Sequence, residues 1–470
     1  MINFFKNIFS MQIMTIFLIF MALACAVATF VENDFGVLGA KSFVYGQTWF
    51  EFIMLILTVG IAVNIIIFKM YRKNKFFTFL IHISIIFIFI GSAMTRYLGY
   101  EAVMTIPEGS MENKVYSTNE YIQIKILDKD GEKSYEKEVM ITPLNQTKFE
   151  YETTINNKPL SIKYNNYVNN AIEKLVPNPN GKISMDILLS EAMGAKNILL
   201  QDKEKFDSNF LTFTLNNNIK NETKPTINFE TINDEFYLTS NLQITLYSND
   251  LENEKTINAN TQTKIEKNKI YKIGQTQFKI FEALMNGKLE VVNSDKMFDK
   301  SEQVNAIIVD FKYDNKTSQI PLYKKADSSL GATQTLFIED KKIELQWGAK
   351  EIVLPFSILL NDFVLQRYPG SNSPSTYSSF VKIYDPIENT SFDYTIFMNN
   401  VLDYKGYRFF QSSYKMDETA TILSVNKDPG KIPTYIGYFL LFLGLILTLF
   451  VKNSRFSKLI HKRYTLEDIL

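Results

Sequence analysis

The chain has 470 residues, with 50 Lys and Arg set against 50 Asp and Glu, and it contains only two histidines and one cysteine. That length exceeds one ordinary domain. The even charge balance argues against a nucleic-acid binder, which would carry a basic excess on one domain. A single cysteine forbids any disulfide within the chain.

Three apolar runs crowd the first hundred residues, about 11–31, 49–68 and 76–96, and a fourth covers 432–452. Each approaches the roughly 20 residues that cross a bilayer as a helix. Ala22 to Ala28 is rich in small residues, but Thr29-Phe30-Val31 continues the apolar pattern. The first run is therefore read as a retained helix rather than a cleaved leader. Cys25 falls inside it and reads as a small packing hydrophobe.

Lys and Arg placement sets the expected orientation. Lys69, Arg72, Lys73 and Lys75 crowd the loop between the second and third runs, and Lys452, Arg455, Lys458, Lys462 and Arg463 follow the fourth. Both chain ends and the 69–75 loop are then cytoplasmic, and the large middle part lies outside. The expected organisation is three membrane helices in 1–98, a periplasmic β-rich domain at 99–431, a fourth helix at 432–452 and a basic cytoplasmic tail at 453–470. The location implied is the inner membrane of a bacterium. Trp49 and the tyrosines at 97, 100, 435 and 438 suit an interfacial belt at the outer side.

Within 99–431 the pattern favours half-buried strands of period two. Tyr121–Ile126, Leu242–Leu246, Ile307–Phe311, Phe380–Tyr384 and Thr421–Val425 alternate apolar and polar residues. One helix is expected at Ile183–Leu200, where apolar residues recur near three-to-four spacing. Asn-rich stretches such as Leu215–Asn221 read as loops. The expected architecture is a large sandwich-like β domain, in two lobes dividing near 215–230. Pro369-Gly370 reads as a turn and Gly406 as a tight bend between strands. This domain contains neither histidine nor cysteine. That excludes the usual zinc site, a Ser-His-Asp or Cys-His set, and covalent haem attachment through its own cysteine.

His82 stands inside the third apolar run; the other histidine, His461, lies in the basic tail. At about 1.5 Å per residue it sits roughly 10 Å in from Lys75. An ionisable side chain at that depth is costly without a partner and marks a functional candidate. Two readings stand. In one, His82 hydrogen-bonds across the bundle to Asn64, Ser84 or Ser92. In the other, its imidazole is an axial ligand to haem iron, against the apolar neighbours Thr78, Phe79, Ile85, Ile86 and Phe89.

Several segments in order bear on the choice: Gln47-Thr48-Trp49-Phe50; His82; Gly91-Ser92-Ala93-Met94-Thr95-Arg96; Gly99-Tyr100-Glu101; and Pro107-Glu108-Gly109. Further on come Leu354-Pro355-Phe356-Ser357-Ile358, Asp362-Phe363, Arg367-Tyr368-Pro369-Gly370-Ser371, Tyr404 to Tyr414, and Lys427-Asp428-Pro429-Gly430. Together they resemble the ResB/CcsB family of cytochrome c biogenesis proteins. Nothing in about 130–340 matches by motif.

The resemblance implies one half of a system II cytochrome c synthase, which moves haem outward for covalent attachment to apocytochrome c. His82 then corresponds to the third-helix histidine that ligates haem iron together with a histidine of a CcsA/ResC-type partner. Haem b is in that case a transported substrate. The partner is separate or fused C-terminally, as in CcsBA-type synthases, and the chain alone is not a complete haem lyase. The rival reading is a non-haem membrane scaffold or sensor whose outer domain binds a protein, with His82 only packing.

Overall fold

The computed structural model describes residues 7–449, apart from 129–130, 193, 218–223, 248–253, 295–301 and 327. The expected basic tail at 453–470, with His461, lies outside the described residues.

All four apolar runs are helices: α1 (Met11–Ala40), α2 (Thr48–Ile67), α3 (Phe76–Leu98) and α4 (Lys431–Leu449). Each is long and apolar enough to cross a membrane. The first is longer than its apolar stretch. It breaks at Gly36, whose φ of 73° and ψ of −179° suit a residue without a Cβ, and runs on into a π-helical turn at Lys41–Tyr45.

Small residues decide how α3 and α4 meet. Gly430, Gly437 and Gly444 recur every seven residues; Gly430 faces Gly91 and Gly437 faces Ser84, both buried on α3, and Gly444 faces Leu80 and Ile81. A Cβ on Gly437 would lie 2.7 Å from Ile88 Cγ1 and 2.9 Å from the Ser84 carbonyl oxygen, and one on Gly444 would lie 2.9 Å from Ile81 Cγ1. Lipid tails are as apolar as the helix faces, so close van der Waals contact is what holds such a pair together. Gly91 meets Thr434 while Leu80 meets Gly444, so the two helices are antiparallel. Elsewhere in the bundle Met14 of α1 packs with Ile53 and Leu57 of α2.

The β-rich part falls into two units, one built from residues up to Tyr167 and from Ile307 onward, the other from Val168–Ala306. The first unit continues the helix pair directly. Strand Tyr100–Pro107, which follows α3, pairs antiparallel with Ala420–Lys427, which precedes α4, and Tyr100 stands opposite Lys427. They belong to a ten-stranded sheet that does not close. Its longest member, Lys341–Arg367, serves two cores. Ile343, Leu345 and Trp347 pack with the four-stranded sheet that includes Glu150–Ile155 and Lys158–Val168. Leu354, Phe356, Ile358 and Leu360 line a second core with Met104, Val381, Phe409 and Leu423.

The second unit is a sandwich of a five-stranded and a six-stranded sheet. Phe213 and Phe229 of one sheet meet Phe278 of the other, the nearest ring centroids being 5.4 Å apart.

Four of the five expected strands lie in Met111–Asp128, Val304–Tyr313, Pro374–Asp385 and Ala420–Lys427, and the fifth, Leu242–Leu246, overlaps Ile244–Tyr247, with Leu242 and Gln243 outside the strand. The helix expected at Ile183–Leu200 is absent. Ala171–Glu191 and Gly194–Gln201 form a hairpin there, with Ile187 opposite Ile198. Met185, Ile187 and Leu189 are all buried, so period two prevailed over a three-to-four spacing that fits the same apolar residues. The lobe division also falls elsewhere than 215–230. Thr212–Leu215 and Thr226–Ile232 pair in parallel within one sheet of the second unit. Both expected turns occur, at Gly370 (φ 74°) and at Lys405-Gly406 (φ 48° and 79°), the latter closing a two-residue hairpin.

Candidate functional site

His82 lies on the second turn of α3 and is half-buried. Its Nδ1 is 2.8 Å from the carbonyl oxygen of Thr78, one turn back on its own helix. The cross-bundle bonds weighed from sequence are not made. Ser84 Oγ donates to Ile81 O at 2.7 Å, and neither Asn64 nor Ser92 is bonded to the imidazole.

A carbonyl can only accept, so the Thr78 contact places a ring proton on Nδ1; in a neutral imidazole the lone pair is then on Nε2. Among the described residues nothing is hydrogen-bonded to Nε2. This is the tautomer a metal-ligating imidazole adopts when a backbone carbonyl orients it. Helix α4 covers the neighbouring stripe through Ile81, Ser84 and Ile88, so it approaches α3 beside His82 rather than over it.

Farther along α3, roughly 15 Å from His82 at 1.5 Å per residue, Ser92 opens a second feature. A cleft of about 1080 Å³ lies where the last turns of α3 and the first turns of α4 meet the Leu402–Tyr404 and Tyr407–Tyr414 hairpin. Segments more than three hundred residues apart converge on it. Arg96 Nη1 donates to Tyr45 O at 2.6 Å and its Nη2 to Glu51 Oε1 at 2.5 Å, so it ties α3 to the π turn and to α2. Thr95 Oγ1 donates to Asp428 Oδ1 at 2.6 Å, and that oxygen also accepts the Gly430 amide at 2.9 Å, which fixes the entry to α4.

The hairpin carries its own charge network. Arg408 grips Asp403 with two nitrogens at 2.5 and 2.7 Å. Lys405 pairs with Asp385, which is buried and also accepts the Tyr404 hydroxyl at 2.7 Å and the amides of Ile387 and Glu388. The Lys405 ammonium, followed by these hydrogen bonds, holds the Asp385 carboxyl well below the usual carboxylate range, against the opposing effect of its burial. Lys427 differs. Its Nζ lies 4.9 Å from the centroid of the Tyr407 ring and 6.0 Å from that of Tyr100. Among the described residues no carboxylate pairs with it. Burial and the bond to Tyr407 push the Tyr100 phenol up, so no phenolate there balances the ammonium.

Several other residues make packing and backbone contacts. Phe356 is buried against Tyr404, Tyr407 and Phe409, with centroids 4.9, 5.8 and 6.0 Å away. Gln47 Nε2 donates to Ser42 O at 2.5 Å. Trp49 is part-exposed and meets Phe20 edge-on, as an anchor does. Cys25 packs beside Ala24 and Ala28. Sequence reasoning assigned no role to Gly437 or Gly444, although their seven-residue spacing was readable, and none to Lys427, which among the described residues has no carboxylate partner.

Comparison with known proteins agrees with the resemblance drawn from the scattered motifs. A sequence model described as the ResB-like family matches residues 331–422, the stretch that holds the 354–371 and 404–414 motifs. Protein NrfI of Wolinella succinogenes is 28% identical over 456 residues, which is 97% of this chain and 36% of that protein. The chain thus spans about a third of the length of the curated relative it matches.

Proposed function

We propose that this chain serves cytochrome c biogenesis as the membrane half that carries haem, with His82 Nε2 as one axial ligand to the iron. The ResB-like match supports the process at its coarsest level. The observation that carries the finer reading is the Nδ1 contact to Thr78 O, which leaves Nε2 unsatisfied at the depth of the apolar run. An imidazole nitrogen facing the apolar bilayer region without a partner would cost about 1–3 kcal/mol, which a ligand on Nε2 removes.

Haem is here the cargo, and the residues present fit it. One side of His82 on α3 is apolar and aromatic through Phe79, Ile86 and Phe89, and α4 leaves that helix accessible beside the imidazole. When bound, the iron would take the Nε2 lone pair. The protein's part is to hold the ring in one tautomer, to keep bulk water from it within the bundle, and to present it to a second ligand. One histidine supplies one axial ligand, so the second comes from a CcsA/ResC-type partner, separate or fused beyond this segment. The β-rich part would then face the periplasm and meet the apocytochrome, with the helices in the inner membrane.

The test is the visible spectrum of the complex purified with that partner, wild type beside His82→Ala. Loss of a low-spin haem spectrum at equal protein yield supports the reading. An unchanged spectrum leaves the scaffold or sensor reading, with a partner-binding β domain and no haem role.

A further inference from the structure

Not every cation of the cleft at the ends of α3 and α4 has a close carboxylate. Five cations and two carboxylates line it. Arg96 is taken up by Glu51, Arg408 by Asp403, and Lys405 by Asp385 and Glu388. Lys431 has only a distant share in Asp403, at 3.6 Å, and Lys427 has its two tyrosine rings and a long bond of 3.5 Å to the Tyr407 hydroxyl. Asp428, the other carboxylate of the lining, is taken up by Thr95 and the Gly430 amide, so the two ammonium groups without a close carboxylate are Lys427 and Lys431, at the point where strand Ala420–Lys427 passes into α4.

The two sides of the cleft differ in chemistry. Hairpin and strand side chains supply the charges, whereas Ile88, Ile432, Tyr435 and Tyr438 of the two apolar helices supply the other wall. Ile432, Tyr435 and Tyr438 are exposed, in the position of an interfacial belt. A soluble anion would use only the first wall. An amphiphile with a phosphate head and acyl chains uses both, its head meeting the ammonium groups and its chains the apolar helix wall.

We propose that this cleft binds the headgroup of an anionic phospholipid, with the Lys427 and Lys431 ammonium groups on the phosphate and the acyl chains lying over Ile432 and Tyr435. Lys431 gains a full partner in place of its long contact to Asp403, which Arg408 already neutralises. Lys427 is held over the rings of Tyr100 and Tyr407 with its charge intact. This inference involves neither His82 nor haem and stands or falls separately from them.

The experiment uses the full chain in micelles containing equal amounts of phosphatidylglycerol and phosphatidylcholine, with bound lipid counted by native mass spectrometry. Wild type should retain phosphatidylglycerol over phosphatidylcholine by about tenfold, because both lipids offer a phosphate but only phosphatidylcholine brings a cation of its own to compete with the two lysines. Lys427→Gln with Lys431→Gln should abolish the preference, and Lys427→Arg with Lys431→Arg, which keeps both charges, should preserve it. Equal retention of the two lipids by wild type overturns the proposal without recourse to any variant. So does a preference that survives the double glutamine variant, or uptake of added haemin that depends on Lys427 while no lipid preference is found.

Discussion

Gly437 of α4 lies against the backbone of Ser84 on α3 so closely that a Cβ would stand 2.9 Å from the Ser84 carbonyl oxygen. That contact sets the helix pair on which His82 is carried, since Ile81 meets Gly444 two turns farther along α4. The pair is continued by the Tyr100–Pro107 and Ala420–Lys427 strands, so one antiparallel unit runs from the bundle into the sheet.

Gly437→Ala should therefore loosen the pair. Overpacking of a closed interface costs about 1–3 kcal/mol. Thermal unfolding in detergent should show a lowered midpoint, and the same change at Gly109, where a Cβ would meet nothing within 4 Å, should lower it only through its φ of 75°. Equal midpoints for wild type and Gly437→Ala would mean that α4 shifts freely on α3.

Arg96 uses two nitrogens on two different acceptors, Tyr45 O and Glu51 Oε1. A lysine reaches with one ammonium and cannot reproduce the fork. Both charged side chains are about a third exposed, so Arg96→Lys should cost no more than about 1 kcal/mol. Glu51→Gln should cost less, because the Tyr45 bond remains. A melting series over the two variants checks the order.

Lys324 and Glu120 form a largely buried pair at 2.7 Å, and Trp347 Nε1 donates to the same carboxylate at 2.8 Å. Removing one partner leaves a buried charge without its counter-ion. Lys324→Ala should destabilise by about 3–5 kcal/mol, whereas Lys163→Ala, at a solvent-exposed pair with Glu150, should lie within about 1 kcal/mol of wild type. Equal effects in denaturant titration would contradict the buried-pair account.

Asp385 sets a pH dependence. Its folded pKa lies below the ordinary carboxylate value of about 4, so its contribution is present above that value and is lost as pH falls through the folded pKa. Asp385→Asn removes the charge on which Lys405 rests. The stability gap between the two proteins should be flat from about pH 8 to 5 and shrink below about pH 4. A gap that closes near neutrality would assign it to another group.

Much of the architecture could be read from the chain because it rests on local pattern. Runs of twenty apolar residues have few alternatives to a helix, and alternation such as Tyr121–Ile126 has few alternatives to a strand. The misreading at 183–200 arose where Ile183, Ile187 and the paired leucines fit both periods. The cleft was not legible. Its walls come from Arg96, the 403–410 hairpin and Lys427, and only strand pairing across three hundred residues brings them together. His82 was legible because an imidazole in an apolar run stands out, but its tautomer was not, since that depends on Thr78 O.

The most direct test of the central claim is the visible spectrum of His82→Gly, purified with its CcsA/ResC-type partner, before and after adding imidazole. The account predicts loss of the low-spin haem bands in the variant and their return when imidazole fills the space left by the side chain. Low-spin bands present in the variant before imidazole is added would contradict it and remove His82 from the iron.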